Sequence, residues 1–316
     1  MVFRLDLKLG FLCNNNCLCC PQAHRRHLGD LTTQEAKEKL IAGRNDGATE
    51  VVFTGGEPTM RADLPELVRY ARSIGYEQVQ IQSNGRRFYY KAYCKLLIDS
   101  GVTEFAPSIH GHLPELHDYI TQARGAFKQV IQGIKNLKEL NQRVITNSVI
   151  TKQNYKYLPE LAQMLVNLNV DQFQLAFIHC VGNAYNNMDL LCPRKSDVQP
   201  YVHKALDIAI EAGVPCMVEA YPYCFMVGYE RYCSELYMPP AEIRDAEGVI
   251  KDFDTVRKTS DKLKHEKCKK CKYYLICEGP WKQYPEKYGW SEFKPVPGEY
   301  IKDPSEVLKE HGGTKP

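Results

Sequence analysis

Cys13-Asn14-Asn15-Asn16-Cys17-Leu18-Cys19-Cys20 is the stretch from which this chain is read. Cys13, Cys17 and Cys20 form a C-x3-C-x2-C triplet. It follows directly on Val2-Phe3-Arg4-Leu5-Asp6-Leu7-Lys8-Leu9, whose apolar–polar alternation predicts a strand. A loop leaving a strand can return three sulfurs to one side and wrap a compact metal centre. A structural zinc site takes four protein ligands, and an iron–sulfur cubane is normally held by four cysteines. Three cysteines leave one position open to another molecule. A fortuitous zinc loop is the competing reading of the triplet alone.

The 316 residues suffice for one large α/β barrel with a small appendage, or for two domains. With 44% apolar and 25% charged residues the chain has a globular composition. A net charge of +3 argues against nucleic acid or an anionic membrane surface as partner. No apolar run approaches the ~20 residues that span a bilayer. The N-terminus lacks a basic start, apolar stretch and small-residue cleavage site, so an unprocessed cytoplasmic protein is expected. In reducing cytosol, thirteen cysteines read as metal-bound or free thiols rather than disulfides. They cluster at 13–20 and 268–277. Cys94, Cys180 and Cys192 stand alone and read as buried small hydrophobes or free thiols.

Strand and helix signals then alternate to about residue 215. Leu31-Thr32-Thr33-Gln34-Glu35 reads as a helix cap with its first turn. Glu50–Phe53 is a second strand, ending at Thr54-Gly55-Gly56-Glu57-Pro58. A capping box is expected at Asp63 and Glu66, with Leu64, Leu67, Val68 and Ala71 on one face and Gly75 as the stop. Val79–Gln82 is strand three, closed by Ser83-Asn84-Gly85, and Thr103–Ile109 is strand four, running into His110-Gly111. Arg143–Ile150 and Val170–Ala176 supply two more, separated by a helix with Pro159 near its start. A helix around Asp197–Glu211 leads to Val214–Val218. Six units predict a partial (β/α)6 TIM barrel, and such folds place their sites at the carboxyl ends of the strands.

The Cys13/Cys17/Cys20 loop, Gly55-Gly56-Glu57-Pro58, Ser83-Asn84 and Ser108-Ile109-His110 all fall at such ends. Together they resemble the radical S-adenosylmethionine (radical SAM) superfamily. The resemblance implies a 4Fe-4S cluster on Cys13, Cys17 and Cys20 whose fourth iron chelates SAM. It implies reductive cleavage of SAM to methionine and a 5′-deoxyadenosyl radical that abstracts hydrogen from substrate. It also implies SAM contacts at Gly55, Gly56, Glu57 and Pro58, and at Ser83, Asn84, Ser108 and His110. Asn147 either faces the adenosine or satisfies a hydrogen bond inside the barrel. Each motif has a plainer reading: a glycine turn, an Asn-Gly turn, or a structural histidine. His110, His112 and His117 do not have the spacing of a helical zinc set.

Beyond about residue 218 the alternation fades. Cys268-x2-Cys271-x5-Cys277 resembles the Twitch/SPASM extensions of the superfamily, which implies one auxiliary 4Fe-4S cluster. Cys224 is the first choice for a fourth ligand and Cys233 the second. Lys267, Lys269, Lys270 and Lys272 either offset the cluster's negative charge or form a solvated face. A full SPASM pattern has a further cysteine where this chain has Trp281. A zinc knuckle is the rival. The expected domains are a barrel over 1–218, an auxiliary-cluster domain over 219–294 and a tail over 295–316.

The expected function is radical SAM chemistry on a peptide, as in peptide maturation, or on a small molecule. A flavodoxin- or ferredoxin-type protein is the expected electron donor. Alternatives are a radical SAM enzyme of cofactor, sugar or alcohol metabolism with a zinc-bound knuckle, and a non-enzymatic zinc, iron–sulfur or electron-transfer protein. Cys180, Cys192, Cys216 and Cys233 are unassigned candidates for a hydrogen-donating thiol.

Overall fold

In the computed structural model residues 3–310 are described. Val2 and residues 311–316 of the expected tail lie outside the described residues. Eight strands run in parallel: β1 (Arg4–Lys8), β2 (Glu50–Thr54), β3 (Gln78–Ser83), β4 (Glu104–Pro107), β5 (Ile145–Ile150), β6 (Gln172–Phe177), β7 (Cys216–Glu219) and β8 (Ala241–Asp245). A short β9 (Gly248–Ile250) turns back antiparallel on β8. The order is β9-β8-β1-β2-β3-β4 in one sheet and β5-β6-β7 in the other. The two meet through the parallel bridges Phe105↔Val144 and Ser108↔Asn147, giving one open arc.

All six expected strands are present. Two were not anticipated as members of the arc. β7 extends it beyond β6, and β8 returns to pair with β1 on the side away from β2. The segment beyond residue 218 therefore contributes a strand to the main sheet rather than standing apart from it.

Alternation along the strands sorts two layers. Leu5, Leu7, Val51, Phe53, Val79, Ile81 and Phe105 are buried beneath the helices. These are α1 (Thr33–Asn45), α2 (Leu64–Ser73), α3 (Lys91–Ser100), α4 (Pro114–Thr121), α5 (Ala126–Glu139) and α6 (Leu158–Asn167). The short turns α7 (Asn183–Asn186) and α8 (Met188–Leu191) precede the long α9 (Lys195–Ala212). Several of the intervening residues are polar and pair between strands: Thr54 with Gln82, Gln80 with Glu104, and Gln174 with Glu219.

The Thr32 capping box opens α1 as expected, with Glu35 returning to the Thr32 N–H. Asp63 does not cap α2. Its carboxylate accepts from Arg61 and Thr33 instead, tying α2 to the start of α1.

Candidate active site and a second cysteine cavity

The cysteine loop, leaving the carboxyl end of β1, is held by backbone bonds to the end of α4. Asn16 N–H and Leu18 N–H donate to the carbonyls of Thr121 and Ile120 at the end of α4. Cys20 N–H donates to Cys17 O at 3.2 Å, closing a turn between the last two cysteines of the triplet. Asn15 N–H points at Cys13 Sγ, 3.4 Å away. Burial pushes the Cys13 thiol up, and burial together with Cys19, Cys20 and Cys13 pushes Cys17 up. A thiolate at either position would need a positive partner beside it. Cys19 is buried in the core, away from this role.

The Gly55-Gly56-Glu57 segment runs alongside the start of that loop. Gly56 N–H donates to Gly10 O and Glu57 N–H to Leu12 O, both at 2.8 Å. A Cβ on Gly55 would lie 2.3 Å from Gly10 O and one on Gly56 2.1 Å from Leu12 O. Only glycine permits the seam. Glu57 is almost fully buried and its carboxylate is saturated. Oε1 accepts from Thr59 N–H, Thr59 Oγ1 and Ser83 Oγ, and Oε2 from Asn84 N–H. The acceptor the sequence offers is thus spent on holding two loops together.

Ser83, Ser108 and Asn147 lie side by side on adjacent strand ends. Ser108 N–H donates to Ser83 O at 2.8 Å, and Ser108 bridges Asn147. Asn147 Oδ1 is buried without a hydrogen-bond partner, an acceptor awaiting a donor. Asn84 Nδ2 reaches Asn14 Oδ1 at 2.6 Å and approaches Cys13 Sγ at 3.9 Å. His110 sits in the wall. Its Nδ1 accepts from Val149 N–H, while Asn154 holds its carbonyl. Burial, with His117 beside it, lowers its pKa to about 3, so the ring is neutral.

Sequence reasoning missed the second tier. Arg86 donates to Asn14 O and Asn15 Oδ1, Arg26 to Asn15 O and Asn16 Oδ1, and Asn183 to the carbonyls of Cys17 and Cys20. The only signal was the basic run His24-Arg25-Arg26-His27 just after the triplet. Glu219 at the end of β7 was also missed, and burial and Glu235 raise its pKa.

Cys224, Cys268, Cys271 and Cys277 line one small cavity. Cys268 and Cys271 are joined by a turn, with Cys271 N–H donating to Cys268 O at 2.9 Å. Burial raises the Cys224 thiol, and Cys277, Cys271 and Cys268 each add to that. Cys233 is buried beside β7 and is not among the lining residues. Nor are Lys267, Lys269, Lys270 or Lys272; Lys264 and Lys294 line the cavity instead. Trp281 stacks on His179 with ring centroids 3.9 Å apart. Among the described residues no three Cys, His, Asp or Glu side chains converge on a single ion. Also among the described residues, no helix is long and apolar enough to cross a membrane.

The family model of the radical SAM superfamily matches residues 7–165, which hold the cysteine loop and every motif described at the ends of β1 to β5. The chain belongs to the radical SAM superfamily. It is similar to the AdoMet-dependent heme synthase of Oleidesulfovibrio alaskensis, 33% identical over 54% of this chain and 44% of that one. It is also similar to the PqqA peptide cyclase of Bradyrhizobium diazoefficiens, 31% identical over 59% of this chain and 49% of that one. The chain spans about half the length of the curated relatives it matches. In fold it resembles Streptococcus suis SuiB bound to S-adenosylmethionine, with a TM-score of 0.67, 17% identity, and coverage of 96% of this chain and 76% of that one. The radical SAM fold implies a 4Fe-4S cluster and SAM.

Proposed function

We propose that Cys13, Cys17 and Cys20 hold the SAM-binding 4Fe-4S cluster, and that Cys224, Cys268, Cys271 and Cys277 hold one auxiliary 4Fe-4S cluster. The seam between Gly55–Glu57 and Gly10–Leu12 carries the first assignment, because it lays the glycine edge against the cysteine loop. The donor sets fit. Three sulfurs leave one iron free for a substrate, and four complete a cubane. Each thiolate of a cubane binds its own iron, so the sulfurs need not converge on one point.

When bound, the first cluster and SAM supply a 5′-deoxyadenosyl radical. The chain's own residues do the rest. Gly55 and Gly56 bring bare backbone to the methionine end of SAM, and Glu57 fixes that edge against Ser83 and Asn84. Asn147 Oδ1 and Ser108 face the nucleoside with Ser83, and His110 closes the wall as a neutral ring. Pro58 starts the turn that carries Thr59 back to Glu57. Lys264 and Lys294 set positive charge beside the auxiliary cavity. In this reading the appendage spans 219–294 apart from β8 and β9, and residues from 295 form the tail.

The substrate class is a peptide. Support comes from similarity to a peptide cyclase and from the likeness in fold to SuiB, whose structure with its precursor peptide SuiA is known. Similarity to the heme synthase and to the Fe-coproporphyrin III synthase of Methanosarcina barkeri favours a small molecule as the second reading. A cytoplasmic setting with a flavodoxin- or ferredoxin-type donor completes the proposal. The test is formation of 5′-deoxyadenosine and methionine by anaerobically reconstituted protein with dithionite. C17A should abolish both. Product formation that survives C17A overturns the assignment.

A further inference from the structure

Four of the lysines around the second cysteine group, Lys267, Lys269, Lys270 and Lys272, stay outside its cavity, so they have no part in lining it. They belong to the segment in which the positive charge of the chain is concentrated. With Lys264 they put five lysines into residues 263–275 against the single carboxylate Glu266, a net +4. The whole chain carries +3, so the rest of it sums to −1. Lys294 adds one more cation from another wall of the cavity. Lys264, Lys269, Lys270 and Lys294 are exposed. Of these six lysines, only Lys269 has a carboxylate partner among the described residues, Glu266 at 2.9 Å.

Contacts join these groups into one face. Lys264 Nζ donates to Tyr274 O at 2.9 Å and lies 4.5 Å from the centroid of that ring. The Tyr274 and Tyr300 centroids are 6.5 Å apart, and Tyr300 OH donates to Lys269 O. Among the cations the surface is apolar, with Leu263 40%, Leu275 52% and Tyr300 46% exposed. A lysine face that only meets solvent needs no apolar centre, whereas an apolar centre within a polar rim is the anatomy of an interface. The face also lies over the cysteines. Lys264, Tyr274 and Lys294 line the cavity of Cys224, Cys268, Cys271 and Cys277 and reach the surface. The buried lining residues Tyr223 and Pro280 back onto the barrel instead. Tyr223 follows β7, and Pro280 precedes Trp281, which stacks on His179 just past β6.

We propose that this face docks a small acidic one-electron carrier protein, of the flavodoxin or ferredoxin kind, over the second cysteine cavity. Opposite charge steers the encounter, and Leu263, Leu275 and Tyr300 supply its apolar contact. The outer wall of the cavity is then all that separates the carrier from the cysteines. One electron leaves the carrier, which is oxidised, and enters the centre held by the cysteines, which is reduced. No bond is made or broken and no proton moves. The electron step rests on Cys224, Cys268, Cys271 and Cys277 holding an iron–sulfur centre, but the docking itself does not. An acidic peptide would match the charge equally well. Position decides for the carrier, because a substrate has to reach the carboxyl ends of the strands, and the cavity stands between those of β6 and β7 and this face.

The test titrates anaerobic holoprotein with an oxidised flavodoxin of strongly negative net charge, by calorimetry at low and high salt, with iron counted in every sample. Binding should be weak and should fade with salt. K269E/K270E should raise Kd about tenfold, the reach of two reversed exposed charges. K95E/K135E, exposed on α3 and α5, should leave it unchanged. E299K, exposed beside Tyr300 and outside the cysteine segment, should lower Kd about threefold. It decides the matter if K269E/K270E loses iron. In the C17A background, reduction of the remaining iron by reduced flavodoxin should slow about tenfold with K269E/K270E, while reduction by dithionite keeps its rate. Wild type that binds no flavodoxin overturns the proposal, as does an unchanged Kd in K269E/K270E with full iron, or an equal loss in K95E/K135E. Equal slowing with both reductants overturns the electron step. Wild type that binds a polyglutamate peptide and not flavodoxin assigns the face to an acidic peptide and overturns the carrier. Wild type with about four irons overturns the auxiliary cluster and leaves the Kd comparison to decide the docking.

Discussion

The backbone N–H of Asn84 donates to Glu57 Oε2 at 2.6 Å, joining the loop after β3 to the loop after β2. With Ser83 and both donors of Thr59 on the other oxygen, Glu57 organises this corner without touching solvent. E57Q replaces one acceptor with an amide that faces a donor. Stability should drop by about 1–3 kcal/mol, the cost of leaving a buried polar group unsatisfied. Thermal denaturation checks that drop, and SAM, whose proposed edge this corner holds, should bind E57Q with a weaker Kd in equilibrium dialysis.

Gly56→Ala places a methyl 2.1 Å from a backbone carbonyl that cannot swing aside. The seam must open, at about 3 kcal/mol or more, and iron retention at the first site should fall with it. Gly125→Ala is the contrast. Nothing lies near its Cβ position, and its φ of +80° costs only about 1–2 kcal/mol. Equal losses in iron content for the two variants would contradict the seam's role.

His110 and His117 are both buried and neutral. Burial and the neighbouring His117 lower His110 to about 3, and burial lowers His117 to about 4. Unfolded histidine titrates near 6.5, so between these values the unfolded chain binds protons the folded one refuses. Stability from these rings is therefore complete above pH 6.5 and lost as pH falls toward 4 and then 3. His117 alone accounts for roughly 3 kcal/mol, at about 1.36 kcal/mol per unit. Urea melts of wild type and H117Q at pH 7.5 and 5 check it, H117Q showing the smaller drop on acidification.

Lys262 is buried between Glu235 at 2.8 Å and Glu278 at 2.7 Å, and Glu278 also pairs with Arg257. K262M leaves Glu235 without its cation and should cost about 3–5 kcal/mol. The double variant K262M/E235Q should recover part of that loss in a thermal melt.

The strands and their loops were legible because alternation marks a half-buried strand, and Gly-Gly-Glu-Pro and Ser-Asn-Gly mark its end. β8 was not. Ala241-Glu242-Ile243-Arg244-Asp245 is buried throughout, and its charges are neutralised by contacts that no local pattern announces. Arg244 pairs with Asp46 and Glu242, and Asp245 with Arg25. The Asp63 cap failed for the same reason, since distant Thr33 and nearby Arg61 took its carboxylate.

Within the candidate site, residues in one loop were readable and residues that reach it from elsewhere were not. Arg86 and Asn183 act on the cysteine loop across 71 and 166 positions respectively. Glu57 was legible as a polar group at a strand end, but its saturation needs Ser83 and Asn84 in three dimensions. Cys224 could be nominated from the ending of the barrel pattern. Only the folded chain sets it against Cys268, Cys271 and Cys277 and leaves Cys233 outside their cavity.

Iron and acid-labile sulfide per chain after anaerobic reconstitution test the two-cluster reading most directly. Wild type and C233S should bind about eight irons, the sum of two cubanes. C224S and the double variant Cys268→Ala/Cys271→Ala should bind about four. About four irons in wild type, unchanged by C224S, would contradict the auxiliary cluster. No iron in any of them would contradict the whole account.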